Sequence, residues 1–444
     1  MRRKTIIIVL LLLTVILTLN LKNVYRMLPK EVKHNIKNKF IKIYDNLSDD
    51  SKLLIRTFDL EPFDQLQSRY KRTNPKIENL NNDYNVKFLP ETQYGNFNLS
   101  LLKINFDNKS VIKNDSGYSF FKPFYLEIYD ENILIINNTG EILFSPLSNL
   151  DDTKNEILNT KLIKTNLNVY KIMGTLIYKN IIFVSYLSMN DNCQQYNIVS
   201  AEINFTNIKF KNFFTSDACG LNLNAGRMKI YNHEGELGLL ATLGGEKLNQ
   251  ASNQPQDLNS DIGKILFINL NNKKKIIFSL GHRNPQGLLV NNETILSTEH
   301  GPAGGDEINK IIFEKNYGWP ISSYGKRYSH VKKNIEKKYY KNHSDYGFQE
   351  PIYSFVPSIG ISQIIKIPNE FSKNWKNNFL LASLNGASLY RIQFSDTFDR
   401  IIYIEKIFIN RRIRDLKYSK KNNAIILALE DWQEIGVLKP TLDN

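Results

Sequence analysis

The sequence predicts an all-β repeat fold that occupies most of the chain. Short runs with apolar residues at every second position dominate from Val86 onward. Turn-forming clusters rich in Gly, Asn and Asp separate these runs about every dozen residues. The hydrophobic content of 42% supplies enough apolar side chains for a large core. Together these features favour many short antiparallel strands over a fold with helices between its strands.

The strand prediction is clearest in two regions. Residues 124–128, 133–137 and 141–144 are predicted as three strands joined by tight turns, because each run alternates and each break contains Asp, Asn or Gly. Residues 228–231 and 237–243 flank a turn that contains Gly235. The internal repeat is too weak to count, so the alternation alone gives a repeat fold without a number of units.

The N-terminus predicts a membrane anchor. Three basic residues follow Met1, and residues 5–21 are apolar apart from Thr and Asn. At about 1.5 Å per residue, this segment reaches the short end of a membrane span. The basic flank predicts a cytoplasmic N-terminus. No small-residue cleavage site follows, which favours an uncleaved signal anchor, with a removed signal peptide as the alternative. In either case we expect the body in the periplasm or another extracytoplasmic space.

The expected organisation therefore has three parts. Residues 1–27 form a basic cap and transmembrane helix, residues 28–85 a helical stalk or linker, and residues 86–444 the β domain. The net charge of +14 arises from scattered Lys residues. We see no Arg-rich helix and no basic–aromatic ladder, so nucleic acid is not expected as a partner.

Cys193 and Cys219 are the only two cysteines. They lie in turn-like contexts within the part predicted to be exported. A disulfide is compatible with that compartment, and two free thiols are the alternative. If the two residues are bridged, we expect the disulfide to have a structural role.

Three turn-rich clusters, at residues 281–287, 299–309 and 316–320, hold the chemistry of this chain. Glycine allows the backbone to approach a ligand and to present carbonyl oxygens. Carbonyls and carboxylates together suit a hard cation such as calcium. An Arg beside an Asn, as at Arg283 and Asn284, suits an anionic or carbonyl-bearing cofactor. Three ordinary hairpin loops would explain each cluster taken singly, but not all three in this order.

The order of these clusters closely resembles the glucose/sorbosone dehydrogenase family, which includes the soluble pyrroloquinoline quinone (PQQ) sugar dehydrogenases. The resemblance is strong over residues 224–320 and traceable over 351–415. It implies a six-bladed β-propeller, preceded here by the transmembrane helix and linker. It also implies PQQ at the mouth of the central channel, bound to calcium, and a sugar or other polyol as substrate.

The resemblance assigns roles to individual residues. The carbonyls of Gly301 and Pro302 match calcium ligands beside the cofactor, and Arg283 and Asn284 match the pair near the quinone. Arg412 and Arg414 match a motif whose guanidinium groups neutralise the PQQ carboxylates. Two residues of one strand separated by a single position share a face, as a tricarboxylate requires. A solvated basic strand is the alternative explanation for these two Arg residues.

A second, structural calcium site is implied at Glu307 and Tyr317, whose spacing matches that of the family. Asp306 is expected to hold the loop that precedes it. His282 and His300 stand beside ligand positions. We interpret both as packed supporting histidines and not as catalysts.

The chain departs from the family where the reaction needs a base. The family removes a proton from the sugar hydroxyl with a His, and the matching position here is Leu223, which cannot accept a proton. General-base catalysis typically contributes about 10²–10⁴-fold, so the substitution is severe. A Lys of the family is replaced by Asn385.

Two functions therefore remain open. The first is a PQQ-dependent sugar dehydrogenase that transfers a hydride from a sugar carbon to calcium-bound PQQ, with an electron acceptor that the sequence does not identify. The second is a non-catalytic extracytoplasmic propeller that binds a sugar or a protein partner. Arg283 is the expected catalytic residue of the first.

Overall fold

The computed structural model describes residues 97–106, 123–152, 155–190, 193–220, 222–245, 254–326 and 339–441. The predicted signal anchor at residues 1–27 and the predicted stalk at 28–85 lie outside these ranges. Within the described part of the chain, no helix combines the length and the hydropathy needed to cross a membrane.

The described residues form 25 strands. In chain order they are β1 Phe97–Lys103, β2 Phe124–Tyr129, β3 Asn132–Asn137, β4 Ile142–Pro146, β5 Lys161–Thr165, β6 Lys171–Tyr178, β7 Ile181–Asn190, β8 Cys193–Glu202, β9 Asn207–Ile208, β10 Lys211–Gly220, β11 Asn224–His233, β12 Glu236–Gly244, β13 Lys264–Asn269, β14 Lys275–Leu280, β15 Pro285–Asn291, β16 Thr294–Glu299, β17 Asp306–Ile311, β18 Tyr353–Phe355, β19 Ile361–Lys366, β20 Phe379–Ser383, β21 Ser388–Phe394, β22 Ile401–Phe408, β23 Ile413–Ser419, β24 Ala424–Leu429 and β25 Glu434–Pro440.

The only helical elements in the described ranges are four short 3₁₀ helices, at Leu147–Asp151, Gln254–Gln256, Ser344–Tyr346 and Lys373–Trp375. The fold is therefore all-β, as the alternation of apolar residues predicted.

The strands form six sheets, and each sheet is one blade of a propeller. Blade 1 contains β2 to β5 with the short β9 at its edge, blade 2 contains β6, β7, β8 and β10, blade 3 contains β11 to β14, blade 4 contains β15 to β18, blade 5 contains β19 to β22, and blade 6 contains β23, β24, β25 and β1. The first strands of successive blades contact one another in a closed ring that runs β2, β6, β11, β15, β19, β23 and back to β2. These six strands surround the central channel, and the six-bladed propeller implied by the resemblance is confirmed.

An apolar cluster fills each of the six spaces between neighbouring blades. Strand β24 shows how one sheet contributes side chains to two of these clusters. Ile425, Leu427 and Leu429 point towards blade 5, while Ala424 and Ile426 point towards blade 1. Because side chains alternate between the faces of a strand, a blade between two neighbours needs apolar residues on both faces. This explains why β24 is buried along its whole length.

Blade 6 joins the two ends of the described propeller. Strand β1 pairs antiparallel with β25, from Phe97 opposite Pro440 to Lys103 opposite Glu434. The blade is thus completed by the earliest and the latest strands, and their hydrogen bonds close the ring. Phe97 is fully buried and packs on Trp375 of the preceding blade, with 4.1 Å between ring centroids.

Cys193 and Cys219 are joined by a disulfide within blade 2. They begin β8 and lie near the end of β10, two strands that pair with each other. Of the two states left open by the sequence, the structure has the bridged one. The bond closes the end of a blade whose strands β7, β8 and β10 are each ten residues long.

The strands predicted at 124–128, 133–137 and 141–144 are present as β2, β3 and β4, each within two residues of its predicted bounds. The hairpin predicted around Gly235 is present as β11 and β12, and both strands are longer than predicted. Both strands extend at each end, from the pair His233–Glu236 next to the turn to the pair Asn224–Gly244.

Candidate functional site at the mouth of the channel

The predicted cofactor-binding residues lie on one face of the propeller, where the inner strands begin. Arg283 and Asn284 directly precede β15, which starts opposite the end of β16. Arg412 directly precedes β23, which starts opposite the end of β24. Antiparallel pairing brings the start of one strand and the end of the next to the same edge of a blade. Both groups therefore surround the same mouth of the central channel.

Glu299 holds the turn that carries Arg283. Its carboxylate accepts the backbone N–H of Arg283 and, at 3.3 Å, that of Asn284. The same carboxylate lies 3.0 Å from Nδ1 of His282. His282 is fully buried and stacks on Tyr317 at 4.7 Å between ring centroids. The predicted supporting role of His282 agrees with this position behind the turn.

The Arg283 guanidinium has a defined position above this turn. Its Nη1 donates to the carbonyl oxygen of His300 at 2.8 Å, and its guanidinium carbon lies 5.3 Å from the Trp319 ring centroid. Its Nε is buried and has no hydrogen-bond partner among the described atoms. An unsatisfied buried donor on a cation requires a compensating acceptor, and a bound anion or carbonyl would provide one.

A chain of hydrogen bonds connects Arg283 in blade 4 with Arg414 in blade 6. The Asn284 amide nitrogen lies 3.4 Å from Nδ1 of His300, and its amide oxygen accepts from Gln286 at 2.7 Å. The Gln286 amide oxygen in turn accepts from Arg414 Nη1 at 2.7 Å. The structure therefore brings together residues that are about 130 positions apart in the sequence.

His300 is a neutral member of this network. Burial lowers the pKa of His300 to about 4, and Arg283 and Arg414 act in the same direction. Its Nε2 lies 2.5 Å from the carbonyl oxygen of Ile361 and must donate there, because a carbonyl can only accept. Its Nδ1 is then the acceptor that faces Asn284. His300 orients neighbours and carries no charge at neutral pH, as its predicted supporting role requires.

Arg412 and Arg414 lie on one face of the chain, as their spacing predicted, but they share a partner that the sequence did not indicate. Arg412 Nε donates to one oxygen of Glu430 at 2.8 Å, and Arg414 Nε donates to the other at 2.7 Å. Burial opposes ionisation of Glu430, yet Arg414 and Arg412 together lower its pKa below the ordinary value. The carboxylate therefore neutralises one of the two positive charges expected for an anionic cofactor.

Below this layer, Arg227 crosses the channel. It projects from β11 of blade 3, and its Nη1 donates to Asp415 of blade 6 at 2.9 Å. Its other nitrogens donate to the carbonyl oxygens of Gln286 and Arg414 at 2.9 and 2.7 Å. Asp415 also accepts the backbone N–H of Leu126 in blade 1 at 3.0 Å. This buried ion pair and its hydrogen bonds connect blades 1, 3, 4 and 6 beneath the channel mouth.

The turn at Gly301 and Pro302 is held by Asp306. One Asp306 oxygen accepts the N–H of Gly301 at 3.0 Å. The other accepts three consecutive N–H groups, from Ile359 to Ile361, at 2.6–3.0 Å. The predicted holding role of Asp306 agrees with these bonds. A Cβ at position 301 would collide with the carbonyl oxygens of Gly304 and Gly305, so only glycine fits this acceptor-rich turn.

Glu307 and Tyr317 line a small pocket together with Arg283, Gly301 and His343. The Tyr317 hydroxyl donates to the Lys310 carbonyl at 2.5 Å and accepts from Ile312 N–H at 3.0 Å, so only its backbone carbonyl remains as a ligand on the cavity side. Burial, with Glu299 acting in the same direction, raises the pKa of Glu307 well above its ordinary value. Among the described residues, no three His, Cys, Asp or Glu side chains group closely enough to form a metal site.

Leu223 and Asn385 are the two positions at which the resemblance implied a departure from the family. Leu223 is buried in the apolar cluster between blades 2 and 3, and its backbone N–H donates to the Gln194 side chain at 2.8 Å. Asn385 lies exposed between β20 and β21, where its backbone limits the space beside Gly360. Leu223 therefore serves packing between blades.

A six-bladed propeller with an arginine-lined channel mouth is the class of protein that these observations define. The family model described as glucose/sorbosone dehydrogenase matches residues 130–438, and the chain belongs to this family.

Two curated relatives are similar over part of the chain. The aldose sugar dehydrogenase of Escherichia coli strain K12 is 29% identical over 178 residues, which cover 39% of this chain and 46% of that protein. Quinoprotein glucose dehydrogenase B of Acinetobacter calcoaceticus is 27% identical over 269 residues, which cover 44% and 56%. The chain spans about half the length of the curated relatives that it matches.

Solved structures show the same fold. The soluble aldose sugar dehydrogenase of Escherichia coli, in its apo-form, superposes with a TM-score of 0.61 at 19% identity, over 72% of this chain and 97% of that one. The PQQ-bound form of an aldose sugar dehydrogenase from Streptomyces coelicolor gives 0.53 at 17% identity, over 79% and 99%. At these identities the likeness shows the architecture alone.

Proposed function

We propose that this protein is a PQQ-dependent oxidoreductase that acts on a sugar or related polyol. The observation that carries the proposal is the hydrogen-bonded network at the channel mouth, which joins Arg283, Asn284 and Arg414 across two blades. These are residues to which the resemblance assigned cofactor binding. Membership of the family and the quinoprotein name of one relative support the proposal.

The residues present fit an anionic, carbonyl-bearing cofactor. The buried Nε of Arg283 lacks a partner among the described atoms, and a quinone oxygen or a carboxylate would satisfy it. Arg412 and Arg414 supply guanidinium groups on one face, partly neutralised by Glu430. The crowded carbonyls at Gly301 suit the proposed calcium ion, which takes oxygen ligands. Pro302 would contribute its carbonyl to the same ion.

When bound, PQQ would accept the two electrons and the hydrogen lost from the sugar carbon. The protein's own contribution is electrostatic. Arg283 is held by the His300 carbonyl with its charge directed at the site, and preorganised charge of this kind stabilises a developing oxyanion. Glu299 fixes the turn and thereby the position of Arg283.

A non-catalytic binding propeller is the second candidate, and a specific observation favours it. Leu223, at the position of the family's base, is buried between blades and cannot accept a proton. The first proposal therefore requires a base from another position, while the second requires none.

A cofactor titration tests the proposal and separates the two candidates. Purified full-length protein is titrated with PQQ in the presence of calcium, and the cofactor absorbance is followed. A panel of aldoses is then added with a dye as electron acceptor. We expect saturable binding followed by sugar-dependent reduction. Binding without reduction would favour the non-catalytic candidate. Absence of PQQ binding would overturn the proposal.

We also propose that the propeller is held at a membrane on its extracytoplasmic side. The basic cap and apolar segment at residues 1–21 support an anchor. The Cys193–Cys219 disulfide supports an oxidising compartment. Digestion of intact spheroplasts with an added protease tests this, because an extracytoplasmic propeller is degraded and a cytoplasmic one is protected.

A further inference from the structure

The central channel holds a second layer of charged side chains, farther from the mouth than the ion pair between Arg227 and Asp415. Two positions beyond this pair on their strands, β11 and β23, lie Lys229 and Lys417. Both strands begin at the channel mouth, so this step leads deeper into the channel. Glu127 of β2 belongs to the same layer, because its carboxylate lies 2.9 Å from the Lys417 ammonium. We call these last three residues the lower layer.

The side chain of Lys229 points into the channel and not into the apolar core. Its neighbours Met228 and Ile230 both pack in the cluster between blades 2 and 3. Because side chains alternate between the faces of a strand, Lys229 points away from that cluster. The charges of Lys417 and Glu127 both act on its pKa, which places its ammonium near theirs. Lys229 is also partly exposed, so solvent and small solutes reach it.

The charges of the lower layer do not balance. Lys417 and Glu127 form an ion pair, and Thr175 of β6 donates to the other Glu127 oxygen at 2.9 Å. The arginine–aspartate pair above them is likewise complete in itself. Lys229 has no hydrogen-bond or ion-pair partner among the described atoms. In the described part of the channel, the lower layer therefore carries one positive charge without a counter-charge.

A positive charge on Lys229 is unfavourable without a further partner. Burial lowers the pKa of Lys229 to about 8, and the charge of Lys417 acts in the same direction. Arg227 also lowers it, while the carboxylates of Glu127 and Asp415 oppose the shift. Both carboxylates already have a cation as partner, so neither compensates Lys229 alone. A protonated lysine in such surroundings requires an added acceptor, and an anion that enters the channel would provide one.

We propose that Lys229 and Lys417 bind a small oxyanion, such as sulfate, phosphate or a carboxylate, in the channel beneath the Arg227–Asp415 pair. An ammonium group is a compact charge with three N–H donors, which suits the oxygens of such an anion. Lys417 uses one donor on Glu127 and keeps the others for the ligand. The anion connects blade 3 to blade 6 at a second level and thereby stabilises the closed ring.

Sulfate is the probe, because its charge stays constant over the pH range in which Lys229 titrates. Full-length protein is titrated with sulfate at constant ionic strength set by chloride, in the absence of PQQ. Calorimetry measures the affinity, and the melting temperature is recorded. Phosphate and acetate are titrated in the same way, so that the three anions are distinguished.

Three variants locate the bound anion. Lys229→Met removes the ammonium and keeps an unbranched side chain of similar length. Lys406→Met is the matched control, because Lys406 lies exposed on the outermost strand of blade 5, β22. Arg283→Ala reports on an anion that binds at the channel mouth and not in the lower layer.

We expect one equivalent of sulfate in the wild type, with a rise in melting temperature that chloride does not produce. Affinity should fall by at least tenfold in Lys229→Met and stay unchanged in Lys406→Met and Arg283→Ala. In the wild type it should also fall as the pH rises above 8, because Lys229 then loses its proton. This pH dependence is measured on the wild type, so the test does not rely on the folding of a variant.

Two results would overturn the proposal. One is the absence of saturable binding for all three anions. The other is binding that persists in Lys229→Met, and its loss in Arg283→Ala would then place the anion at the mouth. The proposal does not depend on sugar oxidation, and PQQ binding is measured separately, so this proposal and the proposed function can each fail alone.

Discussion

Arg227 and Asp415 form a 2.9 Å ion pair across the centre of the propeller although 188 residues separate them in the sequence. Their side chains are 5% and 0% exposed. Arg227 also donates to two backbone carbonyls, and Asp415 accepts from Leu126. The pair therefore holds the backbone of Gln286 and Arg414, whose side chains line the channel mouth.

Removing one partner of this pair should be strongly destabilising. In Arg227→Met, the Asp415 carboxylate stays buried without its counter-charge, and such a change typically costs about 3–5 kcal/mol. Denaturant unfolding of the variant, of Asp415→Asn and of the double variant measures the coupling. We expect the double variant to lose much less than the sum of the two single losses. Additive losses would mean that the ion pair contributes nothing beyond its separate contacts.

Arg283→Ala should remove catalysis while preserving the fold. The guanidinium makes one hydrogen bond to the His300 carbonyl and leaves its Nε unsatisfied, so its loss has a small effect on stability. Loss of an oxyanion-stabilising donor typically costs about 10²–10³-fold in kcat. Sugar-dependent dye reduction and the melting temperature are measured together. Arg400→Ala is the control, because Arg400 lies exposed in a distant turn. Unchanged turnover in Arg283→Ala would exclude the proposed role.

Glu430→Gln should strengthen the binding of a tricarboxylate. Glu430 bridges Arg412 and Arg414 and offsets one of their two positive charges. The amide keeps a similar shape but removes the negative charge, so we expect PQQ affinity to rise several-fold and stability without ligand to fall by about 3 kcal/mol. Isothermal titration at two salt concentrations tests the electrostatic origin. Weaker binding would indicate that Glu430 orients the Arg residues more than it competes with the cofactor.

Asp431 should make stability depend on pH. Burial raises the pKa of Asp431 to about 6, and its Oδ1 has no partner among the described atoms. An unfolded Asp titrates near 3.9, so the folded state holds the proton more tightly. Stability therefore falls as the pH rises from about 4 to 6, by about 1–2 kcal/mol for a partly exposed carboxyl. In Asp431→Asn this decline should disappear, as measured by unfolding at a series of pH values. An identical decline in both proteins would assign it to other groups.

Reduction of the Cys193–Cys219 disulfide should destabilise blade 2. The bond closes a loop of 26 residues, and disulfides of this kind typically contribute about 2–4 kcal/mol, chiefly by restricting the unfolded chain. The double variant Cys193→Ala/Cys219→Ala should melt at a lower temperature than the wild type. Reductant should lower the melting temperature of the wild type alone. A wild type that is insensitive to reductant would contradict this expectation.

The sequence predicted those features that depend on residues close together in the chain. The hairpins from residue 124 to 144 follow from alternation and turn residues, and the shared face of Arg412 and Arg414 follows from their spacing. The ion pair between Arg227 and Asp415 was not predicted. The two residues lie on inner strands of different blades, and their distance in the sequence does not indicate that these strands face each other across the channel. Glu430 was missed for the same reason, since only the pairing of β23 with β24 brings it between the Arg residues.

His343 was missed in the sequence for a different reason. It lies between the third turn-rich cluster and β18, in a region without strand alternation, and nothing in its neighbouring residues indicates that it lines the pocket. The fold brings its ring to 3.6 Å from the Glu307 carboxylate, although 36 positions separate the two residues in the sequence.

The pairing of β1 with β25 has a consequence for how the protein is made. The sheet of blade 6 needs residues 97–103 and residues 434–440 at once. The chain can therefore assemble its first five blades in order, but both edges of an open arc stay exposed until β25 is available to pair with β1. Contacts so distant in sequence form slowly. Unpaired strand edges in such a folding intermediate can pair with other chains and cause aggregation. The yield of folded protein should thus depend more on the rate at which β25 pairs with β1 than on the stability of any single blade.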